Sequence, residues 1–206
     1  MTSNVAPLKI KQHYAHGVVF FVFSLHLLFL FADPAVNFDF SRGPFTDEGF
    51  YLAQLRNFLN GHGWGVEKAD ALLKSPLFAL LFYLPLKIFG VHLCVARLFL
   101  LLYSLVIWIT IIRQRELRLW GCLFLLFGAT EQFLFEYSHY IMPEILCCHL
   151  IVFGLFSIYK YLQTNRLMLL LLSAVIFSAV WFIKVQFIYI LPLPLGLFVL
   201  FRLGQL

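Results

Sequence analysis

The chain has 206 residues, of which 62% are hydrophobic, 18% aromatic and only 12% charged. A water-soluble domain carries about 25% charged residues, so this chain has too little polar side-chain surface to cover a soluble fold. Its net charge of +5 comes from basic residues scattered singly along the sequence, which argues against a nucleic-acid partner because that needs a basic stripe. The composition predicts an integral membrane protein.

Membrane-spanning helices are predicted where about 20 apolar residues follow one another. Six such segments occur in chain order, at 16–32, 91–112, 119–135, 143–162, 167–183 and 185–201. A seventh apolar run, at 76–89, is shorter and contains Pro76 and Pro85, so it suits an interfacial or re-entrant element better than a span. We expect an all-α bundle of about six spans, forming a single membrane domain over 1–206.

The charges predict which end of the bundle is outside. If 76–89 is not counted as a membrane span, many of the basic residues lie on the same face of the membrane: Lys9, Lys11, Arg113, Arg115, Arg118, Lys160, Arg166 and Arg202. Nine of the ten acidic residues fall on or near the opposite face, Glu116 being the exception. Because cytoplasmic loops are enriched in Lys and Arg, the acidic face is predicted to be extracytoplasmic, and 33–90 to be one large loop on that side.

Within this loop, residues 46–60 have the signals of an amphipathic helix. Thr46 can cap its start, and the acids Asp47 and Glu48 suit the positive end of the helix dipole. Tyr51, Leu52, Leu55, Phe58 and Leu59 share one face of such a helix. We expect the helix to lie along the membrane surface with its apolar side down.

A series of short motifs on the predicted outer face resembles a known family. In order, these are Thr46-Asp47-Glu48-Gly49-Phe50-Tyr51, Gly61-His62-Gly63, Lys74-Ser75-Pro76-Leu77, Phe89-Gly90, Ala96-Arg97-Leu98, Met142-Pro143-Glu144 and Ile183-Lys184. Over 46–194 the series resembles membrane glycosyltransferases of the GT-C type. It is most similar to the branch, glycosyltransferase family 39-like, that includes protein O-mannosyltransferases and the aminoarabinose transferase of lipid A.

The resemblance implies transfer of a sugar from a polyprenyl-phosphate donor to a lipid, glycan or protein acceptor on the extracytoplasmic face. It implies catalytic roles for Asp47 and Glu48, with Asp47 as the general base that takes the proton of the acceptor hydroxyl. It also implies that Lys74, Arg97 and Lys184 bind the donor phosphate as cations.

The resemblance further implies a divalent cation, Mg or Mn, held by Asp47, Glu48 and Glu144 through oxygen ligands. Each of these residues also has a purely structural interpretation. Asp47 and Glu48 suit the first turn of any helix, and Glu144 follows Pro143 as in an ordinary helix start. Lys184 suits a polar connector between two apolar runs, and Arg97 suits an anchor near the end of its span.

The chain departs from the family pattern in length, since family members have roughly twice as many spans. We therefore expect either a truncated gene product or one half of an enzyme that has a second membrane chain as its partner. A non-catalytic subunit or remnant is the main alternative, and a small transporter, suggested by Arg97, Glu131 and Glu136, is the other. The predicted location is a bacterial inner membrane, with the active face extracytoplasmic.

Overall fold

A computed structural model describes residues 10–34, 46–65 and 76–184, together with the isolated positions 187, 189, 192, 196 and 199. Within these residues every regular element is a helix. The nine helices are α1 (Gln12–Ala32), α2 (Thr46–Leu59), α3 (Pro76–Leu80), α4 (Tyr83–Phe89), α5 (Leu93–Arg113), α6 (Arg118–Thr130), α7 (Gln132–Tyr137), α8 (Pro143–Thr164) and α9 (Leu167–Ile183). The all-α prediction is confirmed for this part of the chain.

Three helices, α1, α5 and α8, are long and apolar enough to cross a membrane. They coincide within a few residues with the predicted spans 16–32, 91–112 and 143–162. Helix α9 has the bounds predicted for 167–183, but with 17 residues it is shorter than α1, α5 and α8 and is not counted with them as a membrane-spanning helix. The predicted span 185–201 lies outside the described residues except at five isolated positions, so the count of six spans stays a prediction.

The predicted span 119–135 is wrong as a single helix. The run is divided at Glu131, whose backbone is extended and whose side-chain oxygen accepts a hydrogen bond from the backbone N–H of Leu134, capping α7. Helix α6 therefore has only 13 residues, which reach about 20 Å at 1.5 Å per residue. That is shorter than the hydrocarbon core of a bilayer, which is about 30 Å thick.

The proline-containing run 76–89 is likewise not one continuous helix. It forms α3 and α4, of five and seven residues, joined by a turn at Leu81 and Phe82. The hydroxyl of Tyr103 on α5 donates a hydrogen bond to the carbonyl oxygen of Leu81 at this turn. Two short helices tied to α5 agree with the expectation that this run does not span the membrane by itself.

Two groups of buried side chains hold the helices together. The larger lies at one end of the bundle and combines residues of α2, α3, α4, α5, α8 and α9. The smaller packs α1 against α5 and α6. Leu52 and Leu55 of α2 are fully buried in the larger group, so this face of α2 packs on protein rather than lying on lipid as predicted from the sequence.

The outer surface of the apolar helices α1, α5, α8 and α9 is strongly apolar. Phe20, Leu28, Val106 and Val175 are each more than 60% exposed. Such side chains are unfavourable in water but face hydrocarbon without penalty in a bilayer. The exposed surface and the lengths of α1, α5 and α8 both indicate a membrane protein.

Candidate functional site

Five helix ends meet at one end of the bundle. Helices α1 and α9 end there, and α2, α5 and α8 begin there, so the polar residues at these ends approach one another although they are far apart in sequence. Two ion pairs form at this end: one centred on Arg97, the other between Lys184 and Glu144. Together we call them the polar end of the bundle.

Arg97 is completely buried in the second turn of α5 and is bound by two carboxylates. Its Nε and Nη2 donate to the two oxygens of Glu48 at 2.9 and 2.7 Å. Its Nη1 donates to Asp33, at the end of α1, at 2.6 Å. Such a two-pronged pair is the geometry in which a guanidinium binds a carboxylate most strongly.

Glu48 also connects α2 to the start of α8. One of its oxygens accepts the backbone N–H of Ile141 at 2.7 Å, and the side chain is 1% exposed. The ring of Tyr140 lies 5.1 Å from the guanidinium of Arg97, within the range of a cation–π contact. Since both oxygens of Glu48 are engaged, this carboxylate locks α2 onto α5 and α8.

The second ion pair joins the end of α9 to the first turn of α8. Lys184 donates to Glu144, and its ammonium lies 6.0 Å from the ring centre of Tyr51 on α2. Burial lowers the pKa of Lys184, but the hydrogen bond and charge of Glu144, with a smaller contribution from Tyr51, outweigh burial and raise it. Lys184 is therefore held in its charged form, and its side chain is still 17% exposed.

Glu144 has an oxygen available for a further partner. Its Oε1 binds Lys184, whereas its buried Oε2 has no hydrogen-bond partner among the residues that the structure describes. A buried carboxylate oxygen without a partner carries a desolvation cost. This atom suits a cation or a hydrogen-bond donor supplied by a ligand.

Helix α2 contacts both ion pairs through one face. Glu48 and Tyr51 are three residues apart, a spacing that places both on the same side of a helix. Glu48 binds Arg97, and Tyr51 contacts Lys184. The first turn of α2, which includes Asp47, is consequently fixed relative to both pairs.

Of the six residues predicted from the sequence, four meet at the polar end: Glu48, Arg97, Glu144 and Lys184. Asp47 belongs to α2, but its side chain lies outside the described part of the structure, as does the whole of Lys74. No group of three potential metal ligands occurs among the described residues. Because the side chain of Asp47 is not among them, the metal site predicted at Asp47, Glu48 and Glu144 stays a prediction.

Four contributors to the polar end were not predicted from the sequence: Asp33, Tyr51, Tyr140 and the backbone of Ile141. One available signal was that Asp33 directly follows the first predicted span, on the same predicted face as Arg97. Tyr140 and Ile141 lie in a short connection whose path depends on the break between α6 and α7. No pattern in the sequence predicts that path.

A matched ion pair lies at the opposite end of the bundle. Lys160, near the end of α8, binds Glu116 in the connection between α5 and α6 at 2.6 Å. The hydrogen bond from Lys160 lowers the pKa of Glu116. Seventeen residues separate Lys160 from Pro143, a distance of about 25 Å along the helix, so this pair is a control for charge effects remote from the polar end.

The comparisons with known proteins identify no relative: the chain matches no protein-family model, no curated protein and no solved structure.

Proposed function

We propose that the chain takes part in transferring a sugar from a polyprenyl-phosphate donor to an acceptor at the polar end of the bundle, as a GT-C-like enzyme or its N-terminal half. The observation that carries the proposal is the meeting of Glu48, Arg97, Glu144 and Lys184 at one end of an apolar helix bundle. A charged cluster at a bundle end suits a donor whose phosphate lies at the membrane surface and whose chain lies in lipid.

Glu48 and Arg97 act in this proposal as positioning residues. Neither side chain is more than 1% exposed, and Arg97 is already bound by two carboxylates. A guanidinium in this state is a poor ligand for a substrate phosphate. The pair instead holds the first turn of α2, so that Asp47 is presented from a fixed helix.

Lys184 is the cation that we assign to the donor phosphate. Its ammonium has three N–H donors, it is partly exposed, and its raised pKa keeps it charged. When the glycosidic bond breaks, charge develops on the phosphate oxygen, and a cation held nearby stabilises that charge. Asp47 would take the proton of the acceptor hydroxyl as general base.

The described residues fit a divalent cation only in part. Glu144 offers an unpartnered buried oxygen, a suitable ligand for Mg or Mn. Both oxygens of Glu48 are engaged by Arg97 and Ile141, so we assign the ligand roles to Glu144 and Asp47 alone. A bound cation would supply positive charge to the donor phosphate, while the chain's own residues position α2 and hold Lys184.

We further propose that the polar end faces the extracytoplasmic side and that 185–201 adds a further span. The support for this orientation is the basic character of the other end, where Arg113, Arg115, Arg118, Lys160 and Arg166 lie at the ends of α5, α6, α8 and α9. Basic residues of this kind favour the cytoplasmic side.

The proposal is tested by measuring transfer of radiolabelled sugar from polyprenyl-phosphate donors in membranes from cells that express the full chain. Asp47→Asn keeps the size of the side chain and removes the base. We expect the chain-dependent transfer to fall at least about 100-fold, the lower range for loss of a general base.

Glu116→Gln removes a carboxylate at the opposite end and serves as the control, for which we expect unchanged transfer. Equal transfer by the Asp47→Asn variant and the unsubstituted chain would remove Asp47 from the reaction.

A non-catalytic membrane subunit is the second candidate. The observation that favours it is that Arg97 and Lys184 are each paired with carboxylates of the same chain, which joins the helix ends without any substrate. This candidate predicts no transfer by the isolated chain and co-purification with another multi-pass membrane protein.

A further inference from the structure

A cavity separate from the polar end opens between α5, α6 and α8. It has a volume of about 450 Å³, within the range of small-molecule sites. Among the described residues, its lining is aliphatic or aromatic except for His149, and the rings come from Trp108, Trp120, Phe124 and Phe127. A much smaller cavity adjoins it and shares Trp108, Phe124, Leu125 and His149 as walls.

His149 lines both cavities and carries an unsatisfied hydrogen-bond donor. The side chain is 4% exposed, and its Nε2 lies 3.0 Å from the indole nitrogen of Trp108. An indole N–H can only donate, so Nε2 accepts, and the neutral imidazole therefore carries its hydrogen on Nδ1. Within the described residues Nδ1 has no partner.

A buried donor without an acceptor is unfavourable, and the described residues around His149 do not supply the acceptor. The hydroxyl of Ser138, which lines the smaller cavity, donates to the carbonyl oxygen of Leu134 and makes no hydrogen bond with Nδ1 of His149. Nδ1 of His26 is engaged by His139 at 3.0 Å. A molecule bound in the cavity would supply the acceptor that the described residues lack.

We propose that this cavity binds an uncharged, lipid-soluble ring compound with one carbonyl oxygen, which accepts the hydrogen of His149 Nδ1. The aromatic lining favours a ring, and the absence of charged side chains among the described lining residues excludes an ionic ligand. His149 lies six residues after Pro143, about 9 Å along α8, so a phospholipid whose headgroup reached it would bury charge in an apolar wall. The site is independent of the proposed sugar transfer.

Benzophenone is a suitable probe because it is an uncharged aromatic ketone that attaches to nearby C–H groups on irradiation. The full chain in detergent micelles is irradiated with it, and the labelled residues are mapped by mass spectrometry. We expect saturable labelling at lining residues such as Phe124, Leu125 and Val152. Fluorenone should compete at concentrations about five- to tenfold lower than fluorene, which has the same skeleton without the oxygen, since one hydrogen bond accounts for roughly that factor.

Two variants separate the hydrogen bond from the cavity itself. His149→Phe removes the donor and should make fluorenone and fluorene equal as competitors. Val152→Phe fills the lining from a position that is 39% exposed, which spares the packing, and should reduce labelling at least fivefold. Val106→Phe, on a side chain that is 63% exposed and not part of the lining, should leave labelling unchanged.

Labelling that does not saturate would overturn the proposal, because the cavity would then hold only lipid chains or water. Equal competition by fluorenone and fluorene in the unsubstituted chain would also overturn it. So would undiminished labelling of a folded Val152→Phe variant.

Discussion

The charged side chain of Arg97 is fully buried, and its two carboxylate partners make that burial possible because they compensate its charge. An ion pair taken out of water loses its hydration, so its net contribution to stability is small. Removing one partner from such a pair, however, leaves an uncompensated buried charge. Among the described residues, Glu48 provides two of the three side-chain hydrogen bonds to Arg97, so the stability of the polar end depends on it.

We expect Glu48→Gln to lower the free energy of unfolding by about 3 kcal/mol, the lower end of the range for breaking a buried pair. The amide keeps the shape of the side chain but loses the charge and one of the acceptor oxygens. The measurement is an SDS titration of the purified chain in mixed micelles, followed by tryptophan fluorescence.

Glu116→Gln is the matched control, because it breaks the exposed pair with Lys160. Exposed pairs contribute about 0–1 kcal/mol, so this variant should differ little from the unsubstituted chain. A loss for Glu48→Gln no larger than that of the control would contradict the structural role of the Arg97 pair.

His139 makes stability dependent on pH. It is fully buried, in the connection between α7 and α8. Burial, together with the charge of Arg97, lowers its pKa to about 4. Hydrogen bonds with the carbonyls of Phe135 and His26 and the charge of Asp33 oppose this shift but do not cancel it. In the unfolded chain this imidazole becomes protonated near pH 6.5, whereas in the folded chain it stays neutral until the pH approaches 4. Stability from this group is therefore present above pH 6.5 and is lost as the pH falls towards 4.

The corresponding measurement is the unfolding free energy between pH 7.5 and pH 4.5 for the unsubstituted chain and for His139→Gln. At about 1.4 kcal/mol per pH unit for one proton, we expect the unsubstituted chain to lose on the order of 2–3 kcal/mol more than the variant. Parallel pH profiles for the two proteins would show that His139 does not titrate in this way.

Among individual residues, the sequence predicted four of the charged ones that meet at the polar end but not how they pair. Glu48 was expected beside Asp47 in catalysis, and Arg97 was expected on a phosphate. Their pairing with each other depends on where α2 lies relative to α5. That position comes from the packing of Leu52 and Leu55 in the core, which residue type and spacing do not determine.

Among the helices, the close contact between α8 and α9 depends on Gly154, which has no side chain to separate them. A Cβ at Gly154 would lie 2.9 Å from the ring of Phe177 on α9, closer than atoms can pack. The hydroxyl of Ser173 donates to the carbonyl oxygen of Gly154 at 3.0 Å. Small residues at such positions let membrane helices approach closely and form hydrogen bonds across the interface.

We expect Gly154→Val to destabilise the bundle by about 1–3 kcal/mol, as overpacking does in other proteins. Gly128→Ala is the control, since a Cβ at that position meets nothing within 4 Å and alanine favours a helix. Both are measured by thermal unfolding in detergent. Restoration of stability by adding Phe177→Leu to Gly154→Val would identify the ring as the obstacle, and no restoration would exclude it.

The positions of the long helices were predictable because each is a long apolar run ending at polar or basic residues. The break in 119–135 was not predictable by this route, since the apolar character of the run continues beyond Glu131. The break occurs because Glu131 accepts the hydrogen bond of Leu134 N–H and starts a new helix. Hydropathy averaged over a window does not detect a single capping side chain.

At the scale of the whole molecule, the proposed orientation is tested by labelling introduced cysteines. His62 follows α2 and Gln163 lies in the last turn of α8, and both are exposed. In a background with the four native cysteines replaced by alanine, His62→Cys should react with a membrane-impermeant maleimide in intact cells. Gln163→Cys should react only after the membrane is permeabilised, and the reverse pattern would invert the proposed topology.

The sequence predicted the helical class and the end of the bundle at which Glu48, Arg97, Glu144 and Lys184 lie. It did so because apolar runs define helices, and because residues at alternate helix ends must share a side. The cavity beside His149 was not predictable, since its walls come from three helices and its significance rests on one unpaired nitrogen. Such features depend on side-chain packing rather than on pattern.

Lys184 provides the most direct test of the central claim, that the polar end binds a lipid-linked phosphate and serves sugar transfer. In membranes with the full chain, Lys184→Met should raise the KM for the polyprenyl-phosphate sugar at least about tenfold, as expected for loss of a charged hydrogen bond. Lys184→Arg should recover part of this loss, and Lys160→Met, at the opposite end, should have no effect. Transfer with the same KM in Lys184→Met and Lys160→Met would contradict the account.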